Sequence, residues 1–65
     1  MLMPDFETNT RKVIARLERE GWRRLGGGSH DIFKHAEKPG RVVVPRHKDL
    51  SPGVARSIAK IAGWI

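Results

Sequence analysis

His30 stands directly after Gly26-Gly27-Gly28-Ser29, so a group able to exchange protons follows a stretch of unusually bare backbone. An imidazole titrates nearer neutrality than any other side chain and can take or give a proton at working pH with little tuning. Consecutive glycines lack the Cβ that holds a chain away from its ligands, and their amides can turn toward phosphate oxygens. Glycines to hold a phosphate beside a histidine to move a proton is equipment for cutting RNA. The same residues also describe a plain hairpin turn followed by a half-exposed strand histidine.

Other chemistries fit less well. Gly26 and Gly28 would need a third glycine where Asp31 stands to make a dinucleotide-binding fingerprint, and no Gly-Lys-Ser/Thr follows to make a P-loop. Successive strand side chains point to opposite faces, so His30 is not expected to activate Ser29 as a nucleophile. His30, His35 and His47 have spacings that match no zinc pattern, and no metal or other cofactor is expected. His35 reads as a surface histidine near the Pro39-Gly40 turn. Pro45-Arg46-His47-Lys48 sets a second imidazole between two cations. It suits either a basic loop or a phosphate clamp leading into the second helix, whose free amides favour anions.

These residues need elements to position them. Thr8 or Asn9 can cap a first helix, and Gly21 suits the left-handed position just past its end. Within it Phe6, Thr10, Val13, Ile14 and Leu17 share a stripe at helical spacing. Lys12, Arg16, Arg19 and Arg23 recur on the opposite side, as a solvated face or as contacts for phosphate or an acidic partner. Two short segments around the glycine cluster form a hairpin, and Pro39-Gly40 suits the centre of a type II turn. Arg41-Val42-Val43-Val44 is the clearest strand, ended by Pro45, which has no amide for the ladder.

Ser51-Pro52-Gly53 starts a second helix, with Val54, Ile58, Ile61, Ala62 and Ile65 on one face and Gly63 as its stop. Trp64 and Ile65 are expected to fold back on the core. The order α-β-β-β-α predicts an α+β fold, one three-stranded antiparallel sheet with both helices on one face. That is the layout of a double-stranded-RNA-binding domain.

Composition narrows the field further. At 65 residues the chain is expected to be one small domain, 1–65, of marginal stability. It has no cysteine, which excludes disulfides, thiolate metal sites and a cysteine nucleophile, and fits a reducing compartment. No apolar run approaches the roughly 20 residues needed to span a bilayer. The opening Met1-Leu2-Met3-Pro4-Asp5 lacks the basic and apolar regions of a signal peptide, so a cytoplasmic location is expected. Thirteen Lys and Arg against seven Asp and Glu give a net charge of +6, which favours a polyanionic partner.

Gly28-Ser29-His30-Asp31-Ile32-Phe33, then Val43-Val44-Pro45-Arg46-His47, then Gly53-Val54-Ala55-Arg56-Ser57-Ile58 occur in an order and spacing that resemble the HicA toxin family. The helix ending Glu20-Gly21-Trp22 matches as well, so the resemblance runs from Thr10 to Trp64. It implies a double-stranded-RNA-binding-like fold, a ribosome-independent mRNA endonuclease, and a HicB-like antitoxin that covers the active site. The family's catalytic histidine falls on His30. Many members carry a second histidine next to it, where this chain has Asp31.

With the resemblance added, the expected RNA contacts are Gly27, Gly28, Ser29, Arg46, His47 and Lys48, joined by Lys12, Arg16 and Arg19 of the first helix. Backbone amides near Gly28, with Arg46 or Lys48, would meet charge developing on the phosphate. A non-catalytic nucleic-acid-binding module on the same fold is the alternative.

Overall fold

The computed structural model describes residues 7–65; residues 1–5 and Phe6, the first member of the apolar stripe, lie outside that range. The chain forms α1 (Thr10–Arg19), β1 (Arg23–Gly26), β2 (His30–Lys34), β3 (Arg41–Pro45) and α2 (Pro52–Ala62). The strands make one antiparallel sheet in the order β1-β2-β3. Asp31 and Phe33 of β2 and Val42 and Val44 of β3 are buried. Against Phe33, Val42 and Val44 pack Val13 and Leu17 of α1 and Ala55, Ile58 and Ala62 of α2.

The helix ends follow from local chemistry. Asn9 accepts a hydrogen bond from the Lys12 amide and caps α1; Ser51 does the same for Val54 at the start of α2, with Pro52 in the first turn. Both helices stop in the same way. The Gly21 and Trp22 amides donate to Glu18 and Leu17 carbonyls, and the Gly63 and Trp64 amides donate to Lys60 and Ala59. Each is the paired hydrogen bond of a helix ending in a left-handed residue, and Gly21 and Gly63 both have positive φ. Gly21 is required twice over, because a Cβ there would also stand 2.9 Å from the His35 ring.

The second helix buries Ile58 and Ala62 as expected, but Ala55 and Ala59 take the inner positions expected of Ile61 and Ile65. Ala55, Ile58, Ala59 and Ala62 are inside, Val54 is half-buried, and Ile61 and Ile65 are exposed. Alanines bring the helix axis close to the sheet, so small residues take the inner positions and the larger isoleucine at 61 turns outward. Trp64 does pack on the core, as expected, while Ile65 does not.

Trp64 joins the two helix ends. Its Nε1 donates to Glu20 Oε1 at 2.7 Å, and the Arg16 guanidinium lies 4.2 Å from its ring centroid. Arg16 Nε also bonds Glu20 Oε2 at 2.9 Å. His35 is not a free surface residue: its Nε2 meets the Glu20 carbonyl and its Nδ1 accepts from the Glu37 amide, each at 3.0 Å. Nδ1 as acceptor leaves the proton on Nε2, which donates to Glu20. The strand stops at Lys34, so strict alternation no longer fixes where His35 points, and its ring sits edge-on to Trp22.

The bond from Trp64, and then Arg16, hold the Glu20 carboxyl below the ordinary glutamate range. A depressed folded-state pKa stabilises the protein above the unfolded value, and that stability is lost as pH falls through the folded one. Glu20→Gln is therefore expected to be less stable than the parent at pH 7, with the gap closing below about pH 4. Chemical denaturation at both pH values measures it, and an equal gap at both would contradict the assignment.

Candidate active site around His30

The loop before His30 is shaped by one glycine in particular. Gly27 has φ of 134°, and a Cβ on it would lie 2.3 Å from the His30 carbonyl oxygen. Only glycine lets the loop close this tightly onto the first residue of β2. A register shift between Arg24 and Gly26 leaves Leu25 bulged and 63% exposed on the neighbouring strand. Gly28 differs from Gly27: its φ is not positive, and a Cβ there would meet nothing within 4 Å. The space in front of Gly28 is open to a ligand.

His30 is exposed and pairs across the sheet with Pro45. Its Nδ1 lies 3.0 Å from Ser29 Oγ. This departs from the expected separation of the two side chains, because Ser29 sits in the bend before β2, where strand alternation does not apply. The contact orients the ring. If Nδ1 donates to Ser29, Nε2 carries the free lone pair. His30 also lines a groove of about 550 Å³, together with Val43 and Pro45 of β3 and Val54, Ser57 and Ile61 of α2.

Asp31 points the other way. Its side chain is 8% exposed, and its Oδ1 accepts from Arg46 Nη2 at 3.0 Å and Nε at 3.3 Å, with Arg24 Nη1 at 3.7 Å. Alternation along β2 therefore turns position 31 away from the face that His30 presents. Arg46, expected as an RNA contact, has two of its three guanidinium nitrogens on Asp31.

The remaining basic residues separate into two places. His47 and Lys48 do not lead into α2. They stand with Arg11 and Lys12 around the first turn of α1, because the segment after β3 pairs with the segment before α1. The Thr10 amide donates to the Lys48 carbonyl and the Leu50 amide to Thr8. His30 and His47 thus line different depressions. Arg16 is engaged by Glu20 and Trp64, while Arg19 is exposed beside Lys12 and Glu7. No group of three or more His, Asp or Glu side chains able to hold a metal occurs among the described residues.

Two glycine substitutions test this account of the loop. Gly27→Ala is expected to cost roughly 1–3 kcal/mol, from the strained φ and the clash with the His30 carbonyl. Gly28→Ala, with neither penalty, is expected to stay within about 0.5 kcal/mol of the parent. Thermal melts of the two variants decide it, and the reverse order would contradict the geometry.

Residues 10–64 match the family described as the HicA toxin of bacterial toxin–antitoxin systems. No curated protein matches the chain. The match spans α1 through Trp64 and so includes the glycine loop, His30 and the segment after β3. The chain belongs to the HicA toxin family.

Proposed function

We propose that this protein is the toxin of a type II toxin–antitoxin pair and cuts mRNA, independently of the ribosome, with His30 as general base. The observation that carries this reading is an exposed imidazole, oriented through Nδ1 by Ser29, beside the open space at Gly28. In the tautomer with the proton on Nδ1, Nε2 takes the proton from a ribose 2′-hydroxyl. The 2′-oxygen attacks the adjacent phosphorus and the bond to the 5′-oxygen breaks. That oxygen takes a proton from water, leaving a 2′,3′-cyclic phosphate and a 5′-hydroxyl. Amides near Gly28 meet the charge that builds on the phosphate.

RNA brings its own nucleophile, so this scheme requires no metal ion. A positioned base contributes about 10²–10⁴-fold, and holding the strand in line contributes further. The groove beside His30, with exposed Val43 and Ile61, suits a HicB-like antitoxin that covers the histidine. A partner that binds only the folded toxin also stabilises it. Co-expression with such an antitoxin should relieve growth arrest; arrest that persists in a stable complex would count against a covered site.

The decisive experiment incubates purified protein with a labelled transcript in excess chelator. The parent is expected to cleave, and His30→Ala to lose at least about 10²-fold in rate. RNA affinity should stay within about twofold, because the ring contributes little binding. Undiminished cleavage by His30→Ala, or RNA binding without cleavage by the parent, would replace this reading with a non-catalytic binding module.

A further inference from the structure

Strand pairing sets rows of side chains on the sheet face turned away from the helices. Phe33, Val42 and Val44 pack on the helices, so alternation turns His30, Ile32 and Lys34 of β2 the other way, with Arg41, Val43 and Pro45 of β3. In register, His30 stands opposite Pro45, Ile32 opposite Val43, and Lys34 opposite Arg41. Arg23 of β1 stands opposite Lys34 on its other side. The open face therefore carries the histidine at one end, an apolar row in the middle, and Arg23, Lys34 and Arg41 in one row at the other end.

The fold gives no reason for the cation row. Like charges directly opposite on paired strands are destabilising, and Lys34 has one on each side. All three residues are exposed, and none makes an ion pair among the described residues, unlike Arg16, Arg24 and Arg46. No acidic residue stands in any of the rows on this face. Charges on edge strands guard against stray strand pairing, which accounts for Arg23 and Arg41. It does not account for Lys34, which is on the central strand. A polyanion laid across the row turns this repulsion into attraction.

Continuity with His30 identifies the polyanion. Lys34 follows His30 on the same face at about 13 Å along the strand, too far for one phosphate to touch both. Between them lie Ile32, half-buried, and Val43, 37% exposed, an apolar seat for a base. We infer that a single strand of RNA crosses this open face. The bond to be cut lies at His30, a neighbouring base rests on Ile32 and Val43, and a further backbone phosphate is held by Arg23, Lys34 and Arg41. The inference rests on RNA being the substrate. A duplex keeps its bases stacked and paired and cannot lay one on the sheet, so this face selects unpaired RNA.

The test reads binding of a short single-stranded RNA to His30→Ala protein, which leaves the strand intact. Arg23→Gln and Lys34→Gln are each expected to reduce the slope of log affinity against log salt by about 0.7. Lys60→Gln, exposed on α2 and outside the sheet, should leave the slope unchanged. Melts verify that all three fold, and Lys34→Gln, which relieves the row, should be at least as stable as its parent. Single methylphosphonate linkages are then moved along the oligonucleotide. One linkage should weaken binding as much as Lys34→Gln, with no further loss when the two are combined. Slopes equal to that of Lys60→Gln, no responsive linkage, or equal affinity for a duplex of the same sequence would overturn the proposal. So would loss of antitoxin binding in Arg23→Gln with RNA binding intact, which would give the face to a protein partner. A parent that binds RNA in this way but fails to cut it would leave the strand path standing and sink the nuclease reading alone.

Discussion

The register of β2 is the constraint on which the site depends. Side chains alternate along a strand, so a slip of one residue would bring His30 inside and put Asp31 on the open face. Two interactions prevent it. Phe33 is fully buried among Val13, Leu17, Val42 and Val44, and Asp31 is held beneath Arg46 and Arg24. A buried carboxylate without cationic partners is costly, which makes every other register worse than this one. The exposure of the imidazole is thus set by residues that never face the substrate side.

The cations divide by what they touch. Arg16, Arg24 and Arg46 are tied to Glu20 or Asp31, and Lys38 donates to the Ala62 carbonyl at the end of α2, where the helix dipole favours positive charge. Arg11, Lys12 and Lys48 converge instead on one recess that contains no acid. The net charge of +6 therefore contains cations tied into the fold and others, spread over α1, the sheet and α2, with no ion pair among the described residues.

The legible parts of the fold were those governed by neighbours in sequence. Asn9 and Ser51 as caps, Gly21 and Gly63 as stops, the glycine hairpin and the Val42–Val44 strand all follow from local backbone preferences. The apolar spacing of α2 finds Ile58 and Ala62 but also points to Ile61 and Ile65, whereas close helix-to-sheet packing selects Ala55 and Ala59. His35 against Glu20, Asp31 against Arg46, and the 48–50 segment against 8–10 join residues far apart in the chain, where spacing carries no signal. His30 was found from its glycine neighbours.

That His30 activates a ribose hydroxyl is the claim that gives these arrangements a purpose. A transcript with a single 2′-deoxy nucleotide at a mapped cleavage position tests it most directly, because only the attacking oxygen is missing. The account predicts that cleavage at that bond disappears while cleavage at unmodified positions continues. Continued cutting at the deoxy position would contradict it, since the bond would then be broken by a nucleophile other than the sugar.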